Sequence, residues 1–150
     1  MARESTILAF DFGTRRIGVA VGNTLIRIAH PLETIDGATA AARFAAIAQL
    51  IAQWQPGTLV VGRPVHADGT AHAMTASAEQ FARQLEGRFA LPVARADERY
   101  STRAATAALA EIAGMRPEAR KAARDAVAAQ QILQAWFDRE RQGDDANAAP

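Results

Sequence analysis

Residues 5–21, STILAFDFGTRRIGVAV, decide the fold. Residues 5–10 form a short apolar run that stops at Asp11, as a buried strand does. Gly13-Thr14 is turn-prone, and Ile17-Gly18-Val19-Ala20-Val21 is a second apolar run of strand length. Gly22-Asn23 then signals another hairpin, which places a third strand over residues 25–34. Phe44, Ile47, Leu50, Ile51 and Trp54 recur at helical spacing and predict a helix over residues 38–54, closed by Pro56-Gly57. Residues 58–61 (TLVV) are apolar throughout, the pattern of a central strand covered on both faces. A loop over 62–69, a helix over 70–88, a strand over 91–94 and helices over 101–112 and 118–138 complete the pattern. Three hairpin-joined strands followed by alternating helix and strand give an α/β layer structure with a mixed five-stranded sheet and helices on both faces. Right-handed crossovers set a strand order near 3-2-1-4-5. Asp11 then stands at the carboxyl end of the central strand near a topological switch point, where ligands of open α/β sheets bind.

With 150 residues, 49% of them hydrophobic and 22% charged, the chain suits one globular domain. Residues 1–140 form that domain, and the polar stretch 141–150 (RQGDDANAAP) reads as a disordered tail. The absence of cysteine excludes disulfides and thiolate metal sites, so any metal is held by oxygen or imidazole. The opening residues are too briefly apolar for a signal peptide or membrane span, and the expected location is the cytoplasm. A net charge of +1 says little about partners. The distribution says more: Lys121 is the sole lysine, and Arg95, Arg99, Arg103, Arg116, Arg120, Lys121 and Arg124 form a basic stretch suited to a polyanion if they share a surface.

Asp125 is the most informative acid. At 100° per residue, Ala129, Ile132 and Trp136 fall within roughly 40° of it, so the carboxylate lies on the apolar stripe of the last helix. A charge there needs a counter-ion, a metal or a cleft. Lys121, one turn earlier, is either a simple ion-pair partner or a functional cation. Asp11 alone could close an Asx turn. Glu98 follows a strand, and Ser101 or Thr102 is the better cap for the next helix, which leaves Glu98 available. Together the three acids suit two hard cations, Mg²⁺ or Mn²⁺, held for phosphodiester hydrolysis. His66 and His72 lack zinc-site spacing and read as solvent-facing.

Four blocks, in order across about 130 residues, resemble the YqgF/RuvX family, relatives of the RuvC Holliday-junction resolvases. They are Phe10-Asp11-Phe12-Gly13-Thr14-Arg15-Arg16-Ile17-Gly18-Val19-Ala20, Leu59-Val60-Val61-Gly62-Arg63-Pro64 with Asp68-Gly69-Thr70, Asp97-Glu98-Arg99-Tyr100-Ser101-Thr102, and the stretch from Lys121 to Leu133. The resemblance implies an RNase H-like fold and metal-dependent nuclease chemistry, with a role in trimming the 5′ end of pre-16S rRNA during ribosome biogenesis. It maps Asp11, Glu98 and Asp125 onto metal-ligand positions. Lys121 would neutralise charge on the scissile phosphate, and Arg15, Arg16, Arg99 and Arg103 would clamp nucleic acid. RuvC-type resolvases carry a fourth acid where this chain has Ala128. The resemblance favours RNA over DNA as partner. It leaves open a junction resolvase or a non-catalytic RNA-binding assembly factor, endo- against exonuclease action, and monomer against homodimer. An Asp-x-Gly-Thr hairpin also opens actin-like and sugar-kinase ATPases, but those need two such domains.

Overall fold

The computed structural model describes residues 5–37, 39–64, 74–97 and 114–148. Strands β1 (Thr6–Phe12), β2 (Arg16–Asn23) and β3 (His30–Asp36) form an antiparallel meander. Helix α1 (Ala40–Trp54), strand β4 (Thr58–Arg63), helix α2 (Thr75–Phe89), strand β5 (Val93–Asp97) and the long helix α3 (Pro117–Ala148) follow. β4 pairs parallel to β1 and β5 parallel to β4, so the five strands lie in the order β3-β2-β1-β4-β5, as the sequence predicts.

Alternation along the central strands divides the core into two layers. Leu8 and Phe10 of β1 join Leu59 and Val61 of β4 on the face covered by α1 and α2, around Ile47 and Phe81. Ile7 and Ala9 of β1 join Val60 on the opposite face, which α3 covers with Ala129, Ile132, Leu133 and Phe137. Among the described residues, no helix is long and apolar enough to cross a membrane.

Local chemistry explains the element ends. The Thr39 side chain accepts a hydrogen bond from the Ala42 amide (3.2 Å) and caps α1. Gln55 closes that helix in the left-handed region at φ 48°, and Ala90 does the same for α2 at φ 54°. The third strand starts at His30, later than the apolar pattern from residue 25 suggests. The Asn23 side chain accepts from the Leu25 and Ile26 amides at 2.8 and 3.0 Å, which winds residues 23–27 into a turn before β3 can pair. The fifth strand is displaced forward from the expected 91–94: Leu59 donates to the Pro92 carbonyl (2.9 Å), and the parallel ladder with β4 runs from Val93 to Asp97. α2 begins at Thr75, whose hydroxyl donates to the Pro64 carbonyl; the earlier part of the expected helix, over 70–73, lies outside the described residues. So do the helix expected over 101–112 and most of the loop over 62–69. α3 continues through Ala148, where the composition suggests a frayed tail from 141. No proline interrupts that stretch before Ala148, and its one glycine is tolerable within a helix.

Candidate active site

Close contact between α3 and the meander builds the site. Gly18 lies in β2 opposite Asp11 of β1. A Cβ on Gly18 would stand 1.8 Å from the backbone carbonyl oxygen of Asp125 and 2.4 Å from its carbonyl carbon. No side chain fits there, so only glycine lets α3 rest directly on the strand. One helical stretch further on, a Cβ on Gly22 would meet the Phe137 ring at 2.7 Å. Between them Ala20 is fully buried. Residues 18, 20 and 22 thus form a small-residue track on one face of β2, and α3 runs along it.

This seating sets the last predicted acid over the strand that pairs with the one carrying the first. Asp11 has the parity of Ile7 and Ala9, which face α3, and it ends that row at the carboxyl edge of β1. The backbone of Asp125 rests over Gly18, the residue paired with Asp11. The helical-face reading of Asp125 also holds: Ala129 is 0% and Ile132 is 3% exposed, whereas the Asp125 side chain retains 25% exposure at the rim. The packed stripe is rotated slightly from the expected one. Leu133 and Phe137 are its most buried large residues, and Trp136 is only half-buried.

Arg16, expected as a phosphate clamp, is half-exposed beside the site. Its Nε donates to Asp125 Oδ2 at 2.8 Å. An open pocket of about 300 Å³, lined by Gly13, Thr14, Arg15, Arg16 and Asp125, adjoins this pair. Arg15 is exposed at the same hairpin. The hairpin and α3 therefore present two arginines and a carboxylate around one hollow, which is suitable for an anionic ligand.

The other predicted residues are only partly placed. Glu98, Arg99 and Arg103 lie outside the described residues, as do His66 and His72. Glu98 is the residue that follows β5, whose end at Asp97 shares the carboxyl edge with β1 and β4. Lys121 belongs to α3 one turn before Asp125, and its side chain lies outside the described residues. Arg95 is withdrawn from the expected polyanion surface. Its side chain turns to α2 and binds Glu79 and Glu86. This bonding, above all with Glu79, raises the Arg95 pKa and lowers that of Glu79.

Sequence reasoning missed Gly18 as a functional residue. The alternating Gly18-Ala20-Gly22 track was visible as a signal, because small residues at every second position of a strand imply close approach by a neighbour.

The donor set suits a hard divalent cation. Asp11 and Asp125 offer carboxylate oxygen on one face, and among the described residues Asp125 Oδ1 makes no hydrogen bond. The described residues alone do not complete such a site, for no group of three or more His, Asp or Glu forms among them.

Comparison with known proteins fits this arrangement. A family model described as "RuvX: Holliday junction resolvase" matches residues 5–139. A protein of Nitrosomonas europaea named "Putative pre-16S rRNA nuclease" is 54% identical over 137 residues, covering 91% of this chain and 92% of its own. A protein of the same name from Chromobacterium violaceum is 53% identical over 131 residues, with 87% and 96% covered. Among solved structures, T. thermophilus RuvC in complex with a Holliday junction substrate superposes with a TM-score of 0.57 at 14% identity, over 93% of this chain and 96% of that one. That likeness establishes the RuvC-type, RNase H-like fold. With a family match across most of its length and relatives above 50% identity, the chain belongs to the RuvX family.

Proposed function

We propose that this protein is a divalent-metal-dependent nuclease that hydrolyses phosphodiester bonds at the 5′ end of pre-16S rRNA in the cytoplasm. The observation that carries the reading is the seating of Asp125 over Gly18, which puts its carboxylate on the same face and edge as Asp11. Asp11, Asp125 and Glu98 are the ligands for Mg²⁺ or Mn²⁺, two ions being the arrangement their chemistry suggests. Bound there, the metal supplies an activated water and charge neutralisation at the phosphate.

The protein's own groups orient the substrate. Arg15 and Arg16 line the hollow at the β1–β2 hairpin and hold backbone phosphates beside the two acids. Arg99 and Arg103 extend that contact along the strand being cut. Lys121, one helical turn before Asp125 in sequence, offsets negative charge on the scissile phosphate. α3 and the sheet fix Asp125 and Arg16 relative to each other, because Gly18 lets the helix backbone rest directly on β2.

A DNA substrate is the second reading, favoured by the family's description and by the junction bound to the RuvC relative of the same fold. Cleavage assays on precursor rRNA, linear DNA and four-way junctions, each with Mg²⁺, Mn²⁺ or EDTA, separate the two. Metal-dependent cutting of precursor rRNA that disappears in Asp11→Asn supports the proposal. Junction cutting alone would transfer the activity to DNA. Binding without cutting of any of the three would make the protein an assembly factor.

A further inference from the structure

Arg43 sits against the grain of its own helix. It belongs to the first turn of α1, where a cation opposes the helix dipole, and no acid in that turn offsets it. The helix does not need Arg43 as a cap either, because the Thr39 side chain already fills that role. The guanidinium is spent on backbone outside the helix. Nε donates to the Gly37 carbonyl and Nη2 to the Thr14 carbonyl, each at 3.2 Å. Gly37 in turn donates its amide to the Arg15 carbonyl at 3.3 Å. A Cβ on Gly37 would stand 3.2 Å from Arg43 Cγ, so the two residues are already in close contact. The same guanidinium lies 5.7 Å from the centroid of the Phe12 ring, which stacks on Phe81 at 4.8 Å.

These contacts meet at the β1–β2 turn. The Thr14 and Arg15 carbonyls are both held from the α1 corner, and residues 13–16 of the same turn line the hollow together with Asp125. Among the described residues, Arg43 is not one that lines this hollow, so its effect on a ligand there runs through the turn. The geometry also calls for arginine. One planar fork reaches two carbonyls of separate segments, whereas a lysine ammonium is a single point on a flexible stem.

We propose that Arg43 is a positioning residue for phosphate binding at the hairpin. By holding the Thr14 and Gly37 carbonyls it fixes the turn, and the fixed turn keeps Arg15 and Arg16 together at the hollow. The proposal rests on the nuclease reading and deepens it: contact with nucleic acid at the hairpin depends on a residue of α1 that touches no substrate.

Fluorescence anisotropy of a short single-stranded RNA, in EDTA so that no cleavage interferes, tests the assignment. Arg43→Gln should bind about tenfold more weakly than the wild type, and Arg43→Lys should bind no better than Arg43→Gln although it keeps the charge. In a background already carrying Arg15→Gln and Arg16→Gln, Arg43→Gln should change affinity by less than about twofold, because the groups it positions are gone. Nuclear magnetic resonance of the metal-free protein without RNA gives a second readout. The Arg16 Nε–H, which donates to Asp125, should be protected from exchange with water in the wild type and exchange rapidly in both Arg43 variants. Melting curves check that each variant is folded, and the lysine variant carries both readouts if the glutamine variant is not. Wild-type affinity in Arg43→Lys, an equal loss in both backgrounds, or an Arg16 Nε–H as protected in the variants as in the wild type would overturn the proposal. A wild type that bound no RNA, with the Arg16 protection still lost in the variants, would sink the nuclease reading and leave the hold of Arg43 on the turn standing.

Discussion

Arg16 and Arg95 each meet carboxylates from a neighbouring element, and they meet them differently. Arg95 engages all three of its nitrogens. Nε and Nη2 grip Glu79 at 3.1 and 2.9 Å, Nη2 also reaches Glu86 at 2.6 Å, and Nη1 binds the Val93 carbonyl at 2.7 Å. Among the described residues Arg16 engages Nε alone, on Asp125. The first pair is closed: it ties β5 to α2, and no donor group is left wholly unengaged for a ligand. The second opens onto a pocket, with donors and an acceptor still to be used. Both are ion pairs between a strand and a helix, so the pairing alone does not tell structure from function. The count of unfilled hydrogen-bonding positions does.

That contrast is broken or sharpened by substitutions at each end. The largest effect should come from the open site. Asp11→Asn should reduce cleavage by about 10³-fold or more while leaving nucleic-acid binding nearly intact, since a metal ligand acts on the chemical step. Glu79→Gln, at the closed pair, should leave the rate within about twofold; rate assays on both variants side by side measure the contrast. If Glu79→Gln proved as damaging as Asp11→Asn, the distinction between open and closed pairs would fail.

Gly18→Ala should have the next largest effect, this time on folding. A Cβ 1.8 Å from the Asp125 carbonyl forces α3 off the sheet. The expected cost is about 2–3 kcal/mol or more, or roughly 4–12 °C in Tm for a chain of this size. A thermal melt within a degree of the wild type would mean that α3 is not seated on Gly18, and the approach of Asp125 to Asp11 would lose its basis.

The closed pair should give the smallest effect, and one that depends on pH. Arg95 holds the Glu79 carboxyl below its ordinary value of 4.5. A carboxylate whose folded pKa is depressed adds stability at neutral pH and loses it as pH falls from the ordinary value through the depressed one. The pair is about one-third exposed, so its contribution is screened and at most about 1 kcal/mol. Glu79→Gln should therefore melt roughly 2–4 °C below the wild type at neutral pH, and the gap should narrow in acid, as pH falls below the ordinary carboxylate value. A gap that persisted or widened in acid would reverse the assigned direction.

Much of the fold was legible because it rests on patterns that local sequence carries. The apolar run into Asp11, the Gly22-Asn23 turn and the apolar 58–61 strand led to the observed strand order. The start of β3 was not legible, because residues 25–28 look like strand and are held in a turn by hydrogen bonds from Asn23 that hydrophobic periodicity cannot express. Asp125 was readable from helical periodicity, since its neighbours at one and two turns are apolar. Its partner was not: Arg16 lies more than a hundred residues away, and only the packing of α3 on Gly18 brings the two together. Arg95 shows the converse error. Its place in a basic stretch suggested a polyanion surface, but strand parity sends its side chain to α2, where two glutamates wait.

The central claim is that Asp11 and Asp125 meet to hold a divalent cation, and Mn²⁺ stabilisation tests it without relying on catalysis. Wild type and Asp11→Asn are melted in EDTA and in millimolar Mn²⁺. A ligand that binds only the folded state stabilises by mass action, about 2.7 kcal/mol at a hundredfold excess over its Kd. The wild type should gain several degrees from Mn²⁺, and Asp11→Asn should lose most of that gain, because asparagine keeps the shape and removes the charge. An Asp11→Asn protein that gained as much from Mn²⁺ as the wild type would show that Asp11 holds no metal.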